Sequence, residues 1–112
     1  MNTPIKLLCL ILPRNKGETA IKVLSDNSVF FNILTYARGT APQEIENILG
    51  LGDSKVDVVF SLVASTKTKQ VLTQLNDKLN LTEVGGGIAF YMPITSMSSL
   101  QLYNYCAQTE EN

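Results

Sequence analysis

Two stretches of this chain carry apolar residues on both faces of an extended strand. In Ile5-Lys6-Leu7-Leu8-Cys9-Leu10-Ile11-Leu12, Ile5, Leu7, Cys9 and Ile11 point one way and Leu8, Leu10 and Leu12 the other. In Val56-Asp57-Val58-Val59-Phe60-Ser61-Leu62-Val63, Val56, Val58, Phe60 and Leu62 share one face, with Val59 and Val63 opposite. Successive strand side chains alternate faces, so a sheet built from such strands needs cover on both sides. Only two strong amphipathic helices are legible, enough for one side. A second copy of the chain is the expected cover for the other, and the chain reads first as a subunit of an oligomer.

The remaining elements follow from periodicity and punctuation. Pro13 ends the first strand, and Arg14-Asn15-Lys16-Gly17 make a polar turn. Glu18 to Asp26 is predicted helical on the stripe Ala20, Ile21, Val23 and Leu24. Ser28 to Tyr36 reads as a strand rich in Val, Phe, Ile and Tyr. In the connection that follows, Thr40, Pro42 and Gln43 are helix-start residues, and Ile45, Ile48 and Leu49 follow at helical spacing before Gly50. A third strand covers Lys55 to Val63. Ser65 or Thr66 then caps a helix to Leu79 with Val71, Leu72, Leu75 and Leu79 on one stripe. A loop ending in Gly85-Gly86-Gly87 precedes a fourth strand, Ile88 to Ile94, whose late Pro93 argues for a sheet edge. Leu100, Leu102, Tyr103 and Tyr105 are compatible with strand or helix. The order strand, helix, strand, strand, helix, strand makes a ferredoxin-like α+β sandwich, with a four-stranded antiparallel sheet and two helices on one face. Residues 1–112 are read as one domain, with 95–112 as a C-terminal extension.

The net charge of −1 gives no reason to expect a nucleic-acid partner, and Lys6, Arg14 and Lys16 are too few for a phosphate-tracking patch. The chain has no histidine, which removes the commonest general base and metal ligand. Cys9 and Cys106 lack metal-ligand spacing, and Cys9 reads as a small buried apolar residue in a reduced, cytoplasmic setting. The apolar run from Leu7 to Pro13 is too short for membrane insertion and lacks a signal-peptide cleavage site. No catalytic group, metal site or cofactor is expected, and the chain is read as not an enzyme.

Two segments offer ligand chemistry. In Arg38-Gly39-Thr40-Ala41-Pro42, a glycine before a helix start exposes N–H groups to an anion, and Arg38 adds a charged fork. The plain alternative is a capping Thr40 and a solvated Arg38. Gly85, Gly86 and Gly87 permit close backbone approach to a ligand, or form only a flexible turn; they do not match the dinucleotide fingerprint. Glu44 and Glu46 lie on the wet side of the connecting helix. Asp57, inside a strand, is expected to be solvated or paired, with Lys55 or a neighbouring strand, in preference to facing a subunit cleft. Tyr36 and Tyr91 are expected in core or interface packing.

Tyr36-Ala37-Arg38-Gly39-Thr40, Lys55-Val56-Asp57-Val58-Val59 and Thr82-Glu83-Val84-Gly85-Gly86-Gly87-Ile88-Ala89-Phe90-Tyr91, in this element order, resemble the PII-like (nitrogen-regulatory) signalling family over residues 5–95. The resemblance implies a homotrimer with its sheets facing inward and adenine nucleotides in the clefts between subunits. Gly39 matches the glycine at the base of the family's long loop, Lys55 the lysine opening the third strand, and Gly85 and Gly87 the glycines of the nucleotide loop. Gly86 stands where the family has an acid, and Ile88 where it has a lysine. Thr95, Ser96 and Met97 replace a basic pair. These lost charges tell against a triphosphate, which needs fixed cations. No tyrosine lies between Ala37 and Val56 to accept the family's modification, and Thr40 and Ala41 stand where a glutamine helps bind 2-oxoglutarate.

The resulting expectation is a cytoplasmic PII-like regulator that senses a nucleotide or small anion and relays it to a partner protein. Arg38, Gly39, Thr40, Lys55, Gly85, Gly86 and Gly87 are the expected ligand-binding residues. A ligand-free trimeric scaffold is the alternative, and an enzyme of ferredoxin-like fold the third reading.

Overall fold

The structure, a computed structural model, describes residues 4–39, 55–83 and 86–108. The connecting helix expected over 41–49, with Glu44 and Glu46, lies outside the described residues. Four strands, β1 (Ile5–Pro13), β2 (Asn32–Arg38), β3 (Lys55–Ala64) and β4 (Ile88–Pro93), form one sheet in the order β2-β3-β1-β4, every neighbouring pair antiparallel. The helices are α1 (Gly17–Asp26), α2 (Thr68–Leu79), reached through a 3₁₀ turn at Ser65–Lys67, and α3 (Leu100–Gln108).

The helices α1 and α2 cover the face that carries Leu8, Leu10, Leu12, Val59 and Val63. Ala20, Val23, Leu24, Val71 and Leu75 complete that core, all of them buried. Leu72, expected on the same stripe as Val71 and Leu75, is exposed at its rim. Asn27 ties the two helices: its carbonyl accepts from Lys67 Nζ at 3.2 Å and its Oδ1 from Gln70 Nε2 at 2.9 Å.

The second strand starts later than the residue types imply, at Asn32 instead of Ser28. Ser28 takes a left-handed φ of 63°, and the Val29 amide donates back to the Leu24 carbonyl at 2.9 Å. This closes α1 and sends the Val29 side chain into the core. Local closure of the helix outweighs the strand preference of Val and Phe at these positions. Pro93 ends β4, an edge strand that needs no N–H there.

The opposite face is covered only in part. Cross-strand pairing sets three rows on it: Thr35, Val58, Ile11 and Ile88; Ile33, Phe60, Cys9 and Phe90; and Leu62, Leu7 and Met92. The 100–108 segment, open between strand and helix in the sequence, is helical and packs on one end of this face. Cys106 joins Ile5 and Leu62 there, flanked by Leu7, Phe31 and Leu102. The chain therefore supplies a third helix, which the two-helix reading lacked. It does not reach the other rows, or the β4 end of this one: Ile33 is 50% exposed, Phe90 39% and Met92 40%.

Candidate functional site

The C-terminal end of β1 marks one end of the sheet, and four of the expected ligand residues lie there. Arg38 faces Lys55 in the β2–β3 ladder, and Gly39 follows directly. Gly87 precedes Ile88, which pairs with Ile11. Arg38 and Gly39 lie at the β2 edge of the sheet and Gly87 at the β4 edge, with Lys55 one strand in, on β3. Three strand spacings of about 4.8 Å, roughly 14 Å, separate the two edges, and two separate Lys55 from β4. The protomer brings Arg38, Gly39 and Lys55 together, and it does not bring them to the glycine loop. Thr40 and Gly85 lie outside the described residues.

The glycine loop is shaped by its own backbone. Asn80 ends α2 in a left-handed conformation, φ 55°, its amide donating to the Asn76 carbonyl at 2.8 Å. The Asn76 side-chain Oδ1 accepts from the Thr82 amide at 3.1 Å, and the Gly86 amide donates to the Glu83 carbonyl at 3.0 Å. Gly87 has φ 92°, and a Cβ there would collide with the Ile11 carbonyl oxygen, so only glycine fits against β1. A cleft of about 240 Å³ opens between this loop, α2 and β4, lined by Leu72, Asn76, Leu81, Thr82, Ile88 and Ala89.

Toward the β2 side, Asp57 organises the base of the β2–β3 connection. It is 1% exposed. Its Oδ2 accepts from the amides of Asn15 and Gly17, both at 2.9 Å, so a carboxylate on β3 holds the start of α1. Arg14 Nε lies 3.0 Å from its Oδ1; neither atom completes an aligned hydrogen bond, so that approach is electrostatic. Arg14 Nη2 donates to the carbonyls of Ala37 and Val56, each at 3.2 Å, and the guanidinium sits 4.9 Å from the Tyr36 ring centroid. Asp57 is thus paired and not solvated, and Arg14 is its partner in this cluster. Tyr36 lies outside the core of the single chain: it is 64% exposed, an outer-strand side chain with Arg14 over its ring.

Tyr91 packs against the helix-covered core, and its hydroxyl donates to the Thr68 carbonyl at 2.9 Å. Burial pushes its pKa up to about 12, and burial likewise raises the thiols of Cys9 and Cys106. Cys9 is buried mid-strand, as its residue type and position imply. Sequence reasoning missed Arg14 as a member of the site. Its partners Ala37, Val56 and Asp57 are 23 to 43 residues away, and no local spacing announces them.

No protein-family model matches this chain, and no curated protein matches it in sequence. Solved structures do. CutA of Archaeoglobus fulgidus, described as a periplasmic divalent cation tolerance protein, superposes with a TM-score of 0.72 at 12% identity, over 94% of this chain and 97% of that one. The chain has the PII/CutA-type fold. B. subtilis GlnK in complex with ATP gives 0.66 at 15% identity, over 85% of each chain. Arabidopsis thaliana PII bound to citrate gives 0.66 at 11%, over 89% of this chain and 83% of that one. The PII-like resemblance read from sequence is borne out as a likeness of fold, which these identities carry and no more. No helix among the described residues is long and apolar enough to cross a membrane.

Proposed function

We propose that this protein is a PII-like regulator: a cytoplasmic homotrimer that takes a nucleotide or small anion in the clefts between subunits and relays its presence to a partner protein. One observation carries the reading. Arg38 and Gly39 lie at the same end of the sheet as Gly86 and Gly87 but on the opposite edge, with Lys55 one strand in from it, so a neighbouring copy is what would bring the two halves face to face. The bare apolar rows through Ile33, Phe60 and Phe90 supply the reason for copies to assemble. In the assembled cleft, Arg38 and Lys55 give charge, and Gly39, Thr40, Gly85, Gly86 and Gly87 give backbone or hydroxyl contacts. Regulation by binding, without catalysis, fits these groups, which include no histidine and no pair of acids.

The ATP and citrate in the related structures are both anions and agree with a cationic loop base. The number of cations sets the ligand. With Ile88 and Gly86 in place of charged residues, the glycines offer backbone groups and no charge. A nucleotide mono- or diphosphate or a dicarboxylate suits this better than a triphosphate. Calorimetric titration with AMP, ADP, ATP, cyclic dinucleotides and 2-oxoglutarate tests it: saturable binding of one ligand per protomer, lost in Arg38→Ala, is the expected result. Silence from all of them favours the second reading, a trimeric scaffold that binds protein alone, for which the exposed, uncharged Ile88 beside the glycine loop is the specific support.

A further inference from the structure

The connection from β2 to β3 leaves and re-enters the sheet through the register pair Arg38 and Lys55. On β2, an outer strand, a terminal ladder pair opens at little cost. Arg14 supplies a second hold, since its Nη2 reaches a carbonyl on the outgoing stem (Ala37) and one on the returning stem (Val56). Its own position is fixed by Asp57 and by the Tyr36 ring. Asp57 in turn holds the amides that open α1. We propose that Arg14 and Asp57 are a positioning pair for the loop-base anion site: they set the separation of Arg38 and Lys55 and couple both to the first turn of α1. The proposal rests on the reading of Arg38 and Lys55 as ligand-facing cations.

A pair that merely stabilised the fold would not take this form. Buried ion pairs add little over well-packed apolar side chains, and the Arg14 side chain is 34% exposed, at the rim of the sheet. Its donors do not form a bidentate fork with the carboxylate; they bridge two strands where those strands part. One guanidinium nitrogen reaches both carbonyls while another, Nε, faces Asp57; a lysine ammonium has a single nitrogen and cannot hold both positions. Gly17 keeps the place of the carboxylate open: a Cβ there would collide with Leu34 and lie 3.0 Å from Asp57 Oδ2.

The test uses the full chain with Arg14→Lys, which keeps the charge and loses the bridge, and Asp57→Asn, which keeps an acceptor for the two amides and loses the charge. Amide hydrogen exchange is followed by NMR at residues 36–38 and 55–57 and, for the core, at Val71 and Leu75. The stem amides are expected to exchange about tenfold faster in both variants, the scale of one lost charge-assisted hydrogen bond. The core amides are expected to change less than about twofold. Titration with ADP is expected to show binding weakened about tenfold with Arg38 and Lys55 intact. Stem and core amides accelerating by the same factor, or stem amides left unchanged, overturns the proposal. A wild-type protein that binds no ADP counts against that ligand and not against the pair, which the exchange pattern decides by itself.

Discussion

The two faces of this sheet are nearly equal in apolar content and very unequal in cover. On one, Leu8, Leu10, Leu12 and Val59 lie beneath two helices with no solvent exposure at all. On the other, Ile33, Phe90, Met92 and Ile88 stand in register rows with the half-buried Val58 and Phe60, and α3 shelters only the end near Ile5 and Leu62. Residue type does not tell the faces apart; what packs on them does. The covered face holds the protomer together, and the open face is the surface available for holding protomers to each other.

Substitutions break or sharpen that contrast. The largest effect is expected from Asp57→Ala on the covered face, which leaves the Asn15 and Gly17 amides without the acceptor that Asp57→Asn would keep and so unties α1. A loss of about 4 kcal/mol in urea unfolding is the scale for two amides left unsatisfied. Leu10→Ala, fully buried between β3 and β4, should cost about 3 kcal/mol in the same measurement, from lost burial plus a cavity. Phe90→Asp on the open face should change protomer stability by only about 1 kcal/mol while abolishing self-association in sedimentation. A comparable fold loss in Phe90→Asp, with association intact, would erase the distinction between the faces.

Tyr91→Phe is a smaller test on the covered side. It leaves the Thr68 carbonyl without its donor and should cost about 1 kcal/mol. The pH dependence follows from the raised pKa of Tyr91. Its folded value of about 12 lies above the ordinary value of 10.0, so its contribution is fully present below pH 10 and is lost as pH rises toward 12. Tyr91→Phe should flatten that alkaline decline in a series of thermal melts; an unchanged slope would place its cause elsewhere, with the raised thiols of Cys9 and Cys106 as the next groups to examine.

Much of this fold was legible because its signals are local. Period-two and helical patterns place β1, α1, β3 and α2, and Pro93 marks β4 as an edge. The start of β2 was misplaced because Val29 favours strand while its amide and that of Ser28 close α1. The helix at Leu100–Gln108 could not be chosen, since Leu100, Leu102, Tyr103 and Tyr105 fit either period and only packing on Ile5 and Leu62 favours one. The candidate site was legible by half. Arg38, Gly39, Lys55 and the glycines announce themselves beside turns, whereas the Arg14–Asp57 tie joins positions whose approach depends on the sheet order.

The mass of the protein in dilute solution tests the closing of the open face most directly. Sedimentation equilibrium at micromolar concentration should return three times the protomer mass of 12.3 kDa for the wild type and a single protomer for Phe90→Asp. A wild type that sediments as one folded protomer would leave Ile33, Phe90 and Met92 in water, and the proposed clefts without a second wall.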